Sequence, residues 1–239
     1  MSGIAKRIAR LRELMREGRI DFYLVPTSDY HESEYVGEHF ACREYITGFT
    51  GSAGTALIGK KWAGLWTDGR YFVQAAAELA GSGVELMKMG EPGVPTIEEY
   101  LEKNLPQQGI LGFDGRVINA RMGEDLKKRL ESKNVSFAYT EALIGEIWEG
   151  RPELSAKPVW ILEDRYAGKA ASEKIADLRR EMEKAHATVH ILTTLDDIAW
   201  LFNIRGNDIV HNPVVLSYVA VTAKEILLFL NPKVVPENV

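Results

Sequence analysis

Cysteine is all but missing: the 239-residue chain has one, Cys42. A single thiol cannot form an internal disulfide, which points to a reducing compartment. Long apolar runs are missing too. The longest, Pro213–Val221 and Ile226–Leu230, fall well short of the roughly 20 residues a membrane-spanning helix needs. Near the start, Lys6, Arg7 and Arg10 interrupt the one stretch that could serve as a secretory signal. Positive charge is not in excess either. The 29 Lys and Arg against 34 Asp and Glu leave a formal net charge of −5, which argues against broad, charge-driven binding to nucleic acid. No fixed-period repeat is visible. These absences lead to the expectation of a soluble, cytoplasmic chain with neither a membrane nor nucleic acid as partner.

What is present is the composition of a folded protein, 46% hydrophobic and 26% charged. Ile4, Ile8, Leu11, Leu14 and Met15 recur at helical spacing up to Gly18. Strands are expected at Phe22–Val25, Thr55–Ile58, Ala63–Thr67, Val84–Met89, Ile110–Phe113 and Val135–Tyr139. Helices are expected at Tyr71–Ala80, Ile97–Asn104, Ala120–Glu131 and Ala142–Glu149. Thr96 with Glu99 three residues later forms a capping box that opens the second of these. Pro152 and Pro158 bracket a domain boundary. Beyond it the alternation restarts: Val159–Leu162 extended, Ser172–Lys184 helical, Val189–Leu192 extended, Leu195–Asn203 helical, then a hairpin of Val214–Val221 and Ile226–Leu230. Strands alternating with helices of this length specify an α/β class with mixed sheets. About 80 residues with two good helices resemble the front of a domain more than a whole one. The expected division is 1–156 and a partial domain at 157–239.

Several constellations invite a chemical reading. Gly48, Gly51 and Gly54 lack the dinucleotide spacing and precede a strand, not a helix. Gly54 through Gly59-Lys60 matches part of a P-loop, but Lys61 stands where a magnesium-binding Ser or Thr belongs. His186 and His190 are four apart without the intervening Glu of a zinc helix. His31, Glu32, Glu34, Glu38 and His39 form a polar cluster that reads most simply as a solvated loop. Cys42 has no evident base and is expected to be an inert thiol. Ser52 lacks nucleophile-elbow spacing. Asp196 and Asp197 follow Thr194, a good N-cap, at a helix start, where the dipole favours carboxylates. Arg70 follows the Asp68-Gly69 turn at a strand-to-helix junction. There it either projects toward a ligand or pairs with Asp68 or a nearby Glu and stiffens the turn.

The segments Tyr45–Thr55, Leu65–Phe72 and Leu195–Asp208 with Asn212-Pro213 closely resemble the N-terminal part of the aminopeptidase P (Xaa-Pro aminopeptidase) family, within the creatinase/prolidase metallopeptidases. Ser33-Glu34-Tyr35, Leu86–Gly90, and Ile147-Trp148 with Arg151-Pro152 add to the match. The resemblance implies a creatinase N-terminal-like α/β domain with a mixed sheet flanked by helices, followed by the first part of a second, similar domain. It also implies an enzyme that removes the residue preceding proline, using two divalent metal ions, usually manganese. Those ions would be held by two Asp, one His and two Glu of a C-terminal pita-bread domain absent from this sequence. No metal ligand and no catalytic residue is therefore expected here. Arg70 matches the family arginine that contacts the peptide. Proline-containing peptides and a second copy of the chain, as a homodimer, are the implied partners. The other reading is a protein-interaction module on the same fold without chemistry.

Overall fold

Six strands form the first sheet of the computed structural model, which describes residues 3–140 and 142–236. They are β1 Phe22–Pro26, β2 Thr55–Gly59, β3 Ala63–Thr67, β4 Glu85–Lys88, β5 Ile110–Phe113 and β6 Ser136–Ala138. Their order is β4-β3-β2-β1-β5-β6. β2 runs antiparallel to both β1 and β3, while β1–β5, β5–β6 and β3–β4 are parallel. The sheet is therefore mixed, as the alternation predicts.

Period-two side-chain alternation feeds two cores. Tyr23, Val25, Ala56, Ile58, Ala63 and Leu65 point to one face. There they meet Ile8, Leu11 and Met15 of helix α1 (Gly3–Glu17), Ile46 of α2 (Cys42–Thr47), Ala75 of α3 (Phe72–Glu78), and Leu143, Ile144 and Ile147 of α6 (Leu143–Ile147). Leu24, Leu57, Trp66, Met87, Leu111 and Phe113 point to the other. Their partners are Leu101 of α4 (Ile97–Asn104), Leu126 of α5 (Ala120–Arg129), and Leu105 and Leu130 just beyond those helices. The Thr96–Glu99 capping box is formed in both directions, at 2.9 and 3.2 Å.

The chain divides into two compact units, Met1–Tyr30 with His39–Pro152, and His31–Glu38 with Glu153–Val239. The second contains β7 Trp160–Ile161, α7 Asp164–Ala167, α8 Ala171–Lys184, β8 Val189–Leu192, α9 Leu195–Phe202, β9 Ile204–Arg205, β10 Ser217–Thr222 and β11 Ile226–Leu230. Its main sheet is antiparallel in the order β11-β10-β8, with β7 and β9 paired separately. α9 ends at Asn203, whose φ of 53° is left-handed. The buried Lys174 ammonium holds that end, donating to Trp200 O at 2.8 Å and Asn203 Oδ1 at 2.6 Å, where carbonyls otherwise lack partners.

Two expectations for this unit need correction. Thr194 has the residue type of an N-cap, but its side chain makes no capping hydrogen bond. The strand expected to begin at Val214 begins at Ser217; Val214 and Val215 are buried in irregular backbone.

Among the described residues one face of the β11-β10-β8 sheet packs against helices. Val219, Val221, Leu192, Leu228 and Leu230 pack with Met182 of α8 and Ile198 of α9. On the opposite face Val189, Ile191, Leu227 and Phe229 are 49%, 67%, 48% and 55% exposed. Each such side chain gains about 1.5–3 kcal/mol on full burial, so the face favours association. The 239-residue chain is expected to self-associate with rising concentration in sedimentation velocity, and Ile191→Lys with Phe229→Lys to reduce it to monomer. A wild-type chain that stays monomeric throughout contradicts this.

Candidate functional site around Arg70

β3 ends in Thr67, buried and donating its hydroxyl to Ala53 O at 2.7 Å. The next residue turns the chain. Tyr71 N–H donates back to Asp68 O at 3.0 Å. The Asp68 carboxylate accepts from the Arg70 backbone N–H at 3.0 Å, and from Nε and Nη2 at 2.9 Å each. The Arg70 guanidinium and N–H hold the Asp68 carboxyl below the usual carboxylate range. Arg70 thus forms a bidentate pair, the brace that the spacing allowed. Its side chain is nevertheless 66% exposed, and its Cζ lies 5.3 Å from the Tyr71 ring centroid. Asp68 and Tyr71 thus orient the guanidinium at the end of a mostly exposed side chain.

The loop beside this turn is fixed from several sides. α2 closes with Gly48 at φ 79°, a left-handed cap that glycine adopts without steric cost. At Gly51 a Cβ would lie 2.2 Å from Phe49 Cζ and 2.7 Å from Tyr71 Cδ1, so the close approach excludes any side chain. Ser52 Oγ and Tyr71 OH are hydrogen-bonded at 2.7 Å. Glu78 of α3 accepts from Thr50 N–H at 2.8 Å and Thr50 Oγ1 at 2.7 Å. The glycines therefore serve a packed corner, and residues 55–59 of the P-loop-like stretch are strand β2.

Arg43 organises this corner and has no sequence signal of its own. Only 5% exposed, it donates from Nη1 to Phe49 O, from Nη2 to Gly51 O, and from Nε to Thr27 Oγ1 at 3.0 Å. Thr27 Oγ1 in turn donates to Gly54 O at 2.8 Å. No carboxylate pairs with Arg43 among the described residues, and burial lowers its pKa to about 10. A guanidinium spends its donors well on carbonyls that sheet and helix leave unpaired. The signal that could have flagged it is the neighbouring turn-rich Gly48–Gly54 run, whose carbonyls need donors.

The other sequence candidates do not converge. His31 contacts Thr193 O through Nδ1 at 2.9 Å, and His39 contacts Pro152 O at 2.7 Å; the two imidazoles belong to different units. His186 lies beyond α8 in left-handed backbone, and His190 lies on β8. Asp196 and Asp197 are exposed in the first turn of α9. Cys42 is half-buried, and desolvation pushes its thiol pKa up, away from nucleophilic character. Among the described residues no three His, Cys, Asp or Glu side chains are grouped to hold a metal ion. Nor is any described helix long and apolar enough to cross a membrane.

Two family profiles, both described as creatinase/prolidase N-terminal domain, match residues 7–147 and 150–239. The probable Xaa-Pro aminopeptidase P of Talaromyces marneffei is 44% identical over 236 residues, 98% of this chain and 36% of that protein. Its counterpart in Sordaria macrospora is 42% identical over 98% of this chain and 38% of that protein. The X-prolyl aminopeptidase of Caenorhabditis elegans, described as a cytosolic enzyme with a di-nuclear active site, superposes with a TM-score of 0.92 at 32% identity, over 100% of this chain and 40% of that one. The chain thus spans well under half the length of these relatives. It belongs to the creatinase/prolidase N-terminal domain family, in the form found in the N-terminal region of aminopeptidase P.

Proposed function

We propose that this chain is the recognition region of a metal-dependent Xaa-Pro aminopeptidase, a hydrolase that releases the residue preceding proline from short peptides. The observation that carries the reading is the exposed, bidentately held Arg70 fork on a rigid strand–helix junction, within a chain similar throughout to such enzymes. With Nε and Nη2 given to Asp68, a peptide carbonyl or carboxylate is the natural acceptor for the guanidinium edge that Asp68 does not engage. The region further restricts access to short peptides and supplies a homodimer contact.

Hydrolysis is assigned elsewhere. Among the described residues no His, Cys, Asp and Glu side chains are grouped as a two-metal centre needs. Activation of the nucleophile and polarisation of the scissile carbonyl belong to divalent metals, manganese by resemblance, on a catalytic domain outside these residues. The cytoplasm is the proposed compartment, as for the nematode enzyme.

The test is hydrolysis by the full-length protein that carries this region. Loaded with manganese, it is expected to release the first residue of Xaa-Pro peptides and not of Xaa-Ala peptides, while residues 1–239 alone release neither. A full-length protein without proline-dependent release overturns the enzymatic reading in favour of an interaction module.

A further inference from the structure

A second feature of the first unit lies at the end of the sheet where β1 begins. A groove runs between the second half of α1 and the β2–β3 turn, lined chiefly by Arg12, Glu13, Arg16, Lys60 and Lys61. Four of these side chains are cations, in a protein whose net charge is −5. Of the acids nearby, Glu13 and Asp21 are already engaged, and Glu17 is exposed at the end of α1. Glu13 Oε2 accepts from Arg10 at 2.6 Å. Asp21 accepts from Lys60 Nζ at 2.5 Å through one oxygen and from Ile110 N–H at 2.8 Å through the other. Arg12, Arg16 and Lys61 form no ion pair among the described residues.

Arg12 is the informative member. Its Nε donates to Gly59 O at 2.9 Å, which fixes the guanidinium against the turn. It is half-buried, and desolvation with no compensating acid lowers its pKa. A cation held in place and partly dehydrated favours an anion that would restore what water supplied. Architecture does not require so many charges here. Arg16 complements the carbonyl end of α1, and Arg12 ties the turn, but Lys61 has neither duty.

We propose that this groove is a binding site for a multivalent oxyanion, namely a phosphoryl group on a small molecule. Arg12 provides the fixed fork, and Arg16 and Lys61 supply the charge that no acid engages, beside Lys60 on Asp21. A phosphoryl group fits better than a lone carboxylate. It carries up to two charges and several acceptor oxygens on one centre, matching several converging donors. The site is independent of the peptidase reading and is tested on the 239-residue chain itself.

Inorganic pyrophosphate titrated into that chain at low salt, followed by calorimetry, is expected to show saturable binding at one site. Arg12→Gln, Arg16→Gln and Lys61→Gln are each expected to weaken it by about 5- to 20-fold, the effect of a lost charge-assisted contact. Lys128→Gln, on α5, is expected to leave it unchanged. Citrate separates phosphoryl from carboxylate chemistry and is expected to bind at least about tenfold more weakly. Absence of saturable binding, equal binding of citrate, or equal weakening by Lys128→Gln overturns the proposal. If Arg12→Gln disturbs folding, the exposed Arg16 and Lys61 positions decide.

Discussion

Arg43→Met is expected to destabilise the first unit by about 2–4 kcal/mol, because it strands the buried Phe49 and Gly51 carbonyls at about 1–3 kcal/mol each, while the half-buried Thr27 hydroxyl keeps its bond to Gly54 O, and relief of the buried charge offsets part of the loss. The contact of Arg43 Cζ with the Phe49 ring, at 4.7 Å, is lost as well. Arg43→Lys keeps the charge but not the planar fork, so it recovers part of the loss. The guanidinium pKa is lowered to about 10 by burial, so the folded state binds fewer protons than the unfolded state only between that value and its ordinary range. The group stays charged at neutral pH in both states, and the loss is expected to be the same at pH 6 and pH 8. Urea unfolding followed by fluorescence of the buried Trp66 measures it. A loss below about 1 kcal/mol would show that water replaces the guanidinium at these carbonyls.

Arg43 also marks where reading the sequence stops. The elements with strong local signals are legible: α1 from its apolar stripe, α4 from its capping box, β2 and β3 from their β-rich runs around the Gly59–Lys61 turn. α2 carries no such signal. It has six residues, it follows Ala41, which offers no capping side chain, and it buries an arginine, a residue type that usually marks a surface. Residues 31–38 are grouped with the second unit, a long-range outcome that no window of sequence contains. Val214 and Val215 show the opposite failure. Their apolar run reads as strand, yet Asp208 Oδ2 accepts from Leu216 N–H at 2.8 Å and Gly206 N–H approaches Pro213 O at 3.3 Å, so loop contacts take the backbone groups that a ladder would use. At the candidate site, residue spacing left two roles for Arg70 open because the rotamer of an i, i+2 pair depends on the turn between them. In the folded chain the brace coexists with a mostly exposed side chain.

That coexistence gives the last prediction its form. In the full-length protein, Arg70→Ala is expected to lower kcat/KM for Xaa-Pro peptides by about 10- to 100-fold, the roughly 1.5–3 kcal/mol of a lost charge-assisted hydrogen bond. Thermal stability is expected to change little, because the Asp68–Arg70 pair is exposed, with side-chain accessibilities of 38% and 66%, and exposed pairs contribute little to folding. Asp68→Asn separates orientation from contact. It leaves the guanidinium in place but removes the charge that holds both Nε and Nη2, so a smaller loss is expected, with KM raised more than kcat lowered. The pH dependence follows the same pair. Asp68 titrates below the usual carboxylate range because Arg70 donates to it, so its contribution is complete above the ordinary carboxylate range. It is lost only as pH falls through the lowered value, and orientation of Arg70 should hold steady across neutral pH. If Arg70→Ala lowers the melting temperature and leaves kcat/KM unchanged, Arg70 is a turn brace and nothing more, and the peptide must be recognised by other residues.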